Sequence, residues 1–144
     1  MIARPLFHVG TAEFVAPSGG VHKLSARIAR TEAARERGLL DAGAEFFGLV
    51  AMVLVFDPPA RARITTMGMS VPIDVVFVRA SGEPVAIVED ARPYSVVYSV
   101  DEDVGYVVEL PSGTARVLGV DRDSRFRLVE DAAANTSRDR DTST

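Results

Sequence analysis

The chain has 144 residues, within the range of one domain, and its 47% hydrophobic and 25% charged residues are ordinary for a globular fold. Its net charge of −4 leaves no basic surplus to neutralise phosphates, so nucleic-acid binding is not expected. Cysteine is absent, which excludes disulfides, a thiolate nucleophile and thiolate-ligated metals.

The amino terminus, Met1 to His8, lacks a long apolar core and a small-residue cleavage site, so no secretory leader is expected. The longest apolar run, Phe46 to Phe56, is about half of the roughly 20 residues that a spanning helix needs. It reads as a core strand. The expectation is a soluble, cytoplasmic protein with no membrane contact.

Residues 1–20 are punctuated by Pro and Gly, ending in Pro17-Ser18-Gly19-Gly20, and read as a loose lead-in or an edge strand. Val21 to Ala29 alternates, with Leu24, Ala26 and Ile28 on one side, which is the period of a half-buried strand. Thr31 is an N-cap and Glu32 suits the first turn of a short helix that ends between Gly38 and Gly43. Leu49 to Phe56 is apolar on both faces, and Asp57-Pro58-Pro59 is expected to end it. Arg63 to Met69 has mixed polarity, with Thr65, Met67 and Met69 sharing a face. Ile73 to Val78 and Val85 to Val88 flank the Ser81-Gly82 turn as a hairpin. Further strands are predicted over Tyr94 to Val100, Tyr106 to Leu110 and Arg125 to Val129, with a helical turn from Ala115 to Leu118 before Gly119. From Asp131 onward no apolar period remains, and a disordered tail over 131–144 is expected.

Many short strands and one or two short helices predict a mainly β, single-domain sandwich or barrel-like fold over residues 21–130. Several motifs in that span occur in a fixed order. They are Ala29-Arg30-Thr31, Arg37-Gly38-Leu39-Leu40, Leu54-Val55-Phe56, Pro72-Ile73-Asp74-Val75-Val76-Phe77, Gly82 with Val85, Tyr106 through Gly113, and Leu118-Gly119-Val120. The series resembles the family known as domain of unknown function 192, and Ala91-Arg92-Pro93-Tyr94 resembles one branch of it. The resemblance implies a single β-sandwich-like domain and no established activity. Many members carry Phe-Trp-Met-Lys-Asn-Thr before the Pro-(Leu/Ile)-Asp motif, where this chain has Ile64-Thr65-Thr66-Met67-Gly68-Met69. With that segment altered, a polar site would rest on Arg30, Asp74, Arg92 and Glu109.

Asp74 interrupts an apolar strand, and a buried carboxylate needs a partner. With Arg92 or Arg30 it would form an anchor for an anionic or polar ligand, or, more simply, a structural ion pair. Asp74 and Glu109 as paired carboxylates would suit a hydrolase, though nothing in the sequence sets their separation. Met67 and Met69 could offer thioethers to copper(I), yet packing explains them better. His8 and His22 are isolated and read as exposed or capping groups, so no metal site or cofactor is expected. Ser18-Gly19-Gly20 and Pro111-Ser112-Gly113-Thr114 lack the lysine of a phosphate loop, and no Gly-x-Ser-x-Gly elbow occurs. The reading favoured is a non-catalytic module that binds an unidentified small molecule or protein, with Tyr94 and Tyr98 as contact residues. A hydrolase-like enzyme and a purely structural domain are the alternatives.

Overall fold

In a computed structural model, which describes residues 6–38, 50–94 and 98–132, the chain is mainly β. Among these residues nine strands form in chain order: β1 (His8–Val15), β2 (Val21–Ala29), β3 (Val50–Ala60), β4 (Arg63–Ile64), β5 (Ile73–Val78), β6 (Pro84–Ala91), β7 (Tyr98–Ser99), β8 (Val104–Pro111) and β9 (Arg125–Glu130). Among the described residues two short helices join them, α1 (Glu32–Arg37) and α2 (Thr114–Val117). Seven strands make one sheet in the order β6-β5-β8-β3-β2-β1-β9, and β4 and β7 pair as a separate ribbon. All pairings in the large sheet are antiparallel except β2 with β3. A parallel pair requires a crossover, and α1 lies within that connection.

The central strands are apolar on both sides because both faces of the sheet are covered. On one face Phe14, Ile28, Val53, Val76, Val108, Leu110 and Phe126 form a core with Ala115 and Val120. On the other, Met52, Leu54, Ile73, Val75, Phe77 and Val107 pack beneath Ala34 of α1, Ile64 of β4 and Tyr98 of β7. Burying each of these larger side chains contributes roughly 1.5–3 kcal/mol.

The sheet curls without closing. The β5–β6 hairpin tip reaches the far edge strand, where the Phe126 N–H donates to the Gly82 carbonyl at 2.8 Å. Gly82 has φ +99°, and a Cβ there would sit 2.6 Å from the Phe126 carbonyl oxygen, so only glycine fits this contact. Phe126 in turn packs its ring against Phe14 and Tyr106, with centroids 5.4 and 5.0 Å apart.

Several expectations change. The stretch read as a loose lead-in or edge strand contains β1, an inner strand paired to β2 and β9 on its two sides. The Asp57-Pro58-Pro59 break does not end β3, which continues to Ala60 through a register shift after Val55. Prolines are tolerated there because the ladder is already interrupted. Arg63 to Met69 supplies only the two-residue β4, and of the predicted Tyr94 to Val100 strand only Tyr98–Ser99 is seen as strand. Residues 95–97 of that prediction, residues 39–49 at the predicted helix end and start of the apolar run, and the predicted tail from 133 lie outside the described residues. Among the described residues no helix is long and apolar enough to cross a membrane.

Candidate functional site

Antiparallel strands place directly opposed residues on the same face of a sheet. Asp74 faces Leu110 and Glu109 faces Val75 across the β5–β8 pair, so the two carboxyls project from opposite faces. They cannot flank one bond, and the paired-carboxylate hydrolase is set aside on that geometry.

Asp74 is fully buried and fully used. Its Oδ1 accepts from the Asp90 N–H at 2.8 Å and its Oδ2 from the Ala115 N–H at 2.9 Å. The carboxylate thereby ties the first turn of α2 and the backbone at Asp90, where φ is +54°, to the middle of the sheet. Neither arginine expected as its partner is involved. Arg30 binds Glu130 through two guanidinium nitrogens, and His8 Nδ1 meets the same carboxylate at 2.9 Å. This hydrogen bonding raises the Arg30 pKa and holds Glu130 below its ordinary range. His8 is therefore a half-buried structural group, whereas His22 lies on an exposed position of β2. Arg92 is largely exposed and pairs with Asp90 at 3.1 Å, while its carbonyl accepts from the Thr66 hydroxyl at 2.6 Å. Tyr94 is exposed at a turn with φ +55°, and Tyr98 is half-buried against the core. The four polar residues grouped by the sequence thus do not converge: Asp74 and Arg92 each meet Asp90 through different groups, and Arg30 and Glu109 pair with neither.

Arg30 lines a shallow surface hollow with Asp57 and Tyr106, whereas Glu109 opens from the sheet interior onto a cleft. It sits in β8, opposite Met52 of β3 and Val75 of β5, and only 4% of its surface is exposed. It is turned away from Tyr106 and Val108, as alternation requires, but that side is covered by the second core rather than by solvent. Its carboxyl forms the floor of a cleft of about 260 Å³ lined by Leu54, Ile64, Met69, Met67, Thr65 and Arg63, with the end of α1 opposite. There Gly38 closes the helix with φ +44°, and a Cβ on it would lie 3.5 Å from Glu109 Oε1. Among the described residues the Glu109 carboxyl has no hydrogen-bond or ion-pair partner. Burial alone raises its pKa to about 7, so that near neutrality it can either donate a proton or accept one.

The rim of this cleft is basic. Among the described residues, Arg35, Arg37 and Arg63 line it beside one acid, Glu36. Arg35 is fixed by donating to the Arg30 and Val55 carbonyls at 2.8 and 3.1 Å, with its guanidinium 4.9 Å above the Phe56 ring. Arg63 is exposed on the two-residue β4, and its side chain has no ion-pair or hydrogen-bond partner among the described residues. The Thr31 hydroxyl accepts from the Ala34 N–H at 3.1 Å and so sets the start, and hence the aim, of α1.

Sequence reasoning does not single out these arginines. The signal that could have found them is the altered segment from Ile64 to Met69, four residues of which line the cleft. Met67 and Met69 both reach it, the first half-exposed and the second buried in the core. Among the described residues no three His, Asp or Glu side chains converge as a metal ion would need.

No curated protein matches the chain. Among solved structures, a protein from Sinorhizobium meliloti 1021 described as a "putative transcription regulator" superposes with a TM-score of 0.80 at 25% identity, covering 88% of this chain and 98% of that one. A protein of unknown function from Novosphingobium aromaticivorans DSM 12444 has a TM-score of 0.76 at 23% identity, covering 83% and 84%, and shares the fold. The model of the family described as DUF192, Uncharacterized ACR, matches residues 14–128, which is most of the chain and includes every buried residue of both cores except Ala12. The chain therefore belongs to the domain of unknown function 192 family.

Proposed function

We propose that this domain is a non-catalytic binding module whose site is the Glu109 cleft, and that it takes a small polar ligand through an ammonium or other hydrogen-bond donor. One observation carries the reading: a carboxyl that is almost wholly buried, without a partner among the described residues, at the floor of an open cavity. An unpaired buried carboxyl is costly, and folds retain such groups where a ligand satisfies them. The cleft volume, about 260 Å³, falls below the roughly 300–1,000 Å³ of sites for drug-sized ligands, which suits a molecule of a few heavy atoms. Asp74, Arg30 and Arg92 belong to the scaffold in this reading.

A thermal-shift series tests it, using primary amines from methylamine to butylamine at neutral pH. A ligand at about 100 times its Kd adds roughly 2.7 kcal/mol of stability. Saturable stabilisation by one or more amines, abolished in Glu109→Gln, is the expected result. No stabilisation by any of them would favour the purely structural domain.

A further inference from the structure

Resting on the cleft reading above, we infer that the ligand is dipolar, an ω-amino acid or similar zwitterion, with its ammonium group on Glu109 and its carboxylate on Arg63 at the rim. The cleft is chemically two-ended. Its floor is one carboxyl among Leu54, Ile64 and Met69, and its mouth carries Arg35, Arg37 and Arg63. Among the described residues, Arg63 brings to that mouth a positive charge that no side chain pairs. A simple cation would satisfy Glu109 but leave Arg63 unpaired, and a simple anion would satisfy Arg63 but leave Glu109 unpaired. A molecule carrying both charges satisfies both ends.

Among the described residues no arginine pairs with the Glu109 carboxyl. The cleft that both Glu109 and Arg63 line, about 260 Å³, is room for the body of a small ligand. Arg35 is anchored to two carbonyls and to Phe56, which fixes one wall. Arg63 has its guanidinium available, and a guanidinium fork is well suited to a carboxylate. Met67, half-exposed on the same wall, offers a flexible apolar flank for a methylene chain.

Calorimetric titration distinguishes this inference from the reading beneath it. Glycine, β-alanine, γ-aminobutyrate and 5-aminovalerate are compared with the primary amines of matching chain length. At least one amino acid is expected to bind about tenfold more tightly than its amine, the worth of one hydrogen bond to a charged group. Arg63→Gln should remove that advantage without weakening the amine, since Arg63 is exposed and outside both cores. Amines that bind as tightly as every amino acid, or an Arg63→Gln variant that keeps the advantage, would overturn the dipolar ligand and leave the cleft reading standing. If neither series binds, both fall.

Discussion

Replacing Glu109 by Gln should make the protein more stable at neutral and alkaline pH, and the sign of that change is its most diagnostic feature. Burial raises the folded pKa to about 7 from an ordinary 4.5. Between those values the folded chain holds a proton that the unfolded chain has released, so stability falls as pH rises through this window and levels off above it. At about 1.4 kcal/mol per pH unit, the loss amounts to about 3 kcal/mol. A glutamine side chain keeps the shape and cannot ionise, so the variant lacks this slope. The assay is urea denaturation of both proteins from pH 4 to pH 9, read as the difference between their unfolding free energies. That subtraction removes contributions from other titrating groups, among them Glu130. A gap of roughly 2–3 kcal/mol in favour of the variant at pH 8, closing toward pH 4.5, is expected. A wild type more stable than the variant at pH 8 would refute the reasoning, because it would mean that the ionised carboxylate has a partner in the fold.

Other substitutions probe the scaffold. Asp74→Ala leaves the buried N–H groups of Asp90 and Ala115 without acceptors, and should cost about 3–5 kcal/mol in chemical denaturation, the worth of two hydrogen bonds to a charged group. Gly82→Ala forces an L-residue to φ +99° and into the Phe126 carbonyl, and a loss of about 2 kcal/mol or more, with loosened amide protection at Phe126, is expected. Arg30→Ala should cost about 1 kcal/mol or less, because the pair with Glu130 is partly exposed. The Glu130 pKa is lowered by that pair, so the difference should be present above about pH 4.5 and vanish as pH falls through the folded value, as a pH series of melting curves would show.

The strands of the centre were legible because their composition admits little else. Ile73–Val78 and its return strand, the Thr31 cap and the alternation of β2 and β9 all emerge from local pattern. β1 was obscured because its sequence, HVGTAEFV, mixes Gly and Glu with apolar residues. Its buried Glu13 pairs with the Arg127 side chain of β9, 2.8 Å away and more than a hundred residues along the chain. A pairing of that range leaves no local trace. The site was half legible for the same reason. A carboxyl in an apolar strand marks a polar feature at both Asp74 and Glu109, but not which of them the fold will satisfy. That depends on α2 delivering an N–H to one and α1 ending over the other.

The placement of these two carboxyls also bears on how the chain finds a single alignment. Adjacent apolar strands such as β5 and β8, rich in Val and buried on both sides, would tolerate a slip of one residue with little loss of hydrophobic contact. Asp74 and Glu109 stand one step apart in the ladder and on opposite faces. A one-residue slip of β5 would turn Asp74 away from both of its backbone donors and onto the face that already holds Glu109. A slip of β8 would instead drive Glu109 into the core that holds Phe14 and Phe126. The pair acts as a registration key: two acids, one residue out of phase, single out the alignment that gives Asp74 its donors and Glu109 its cleft.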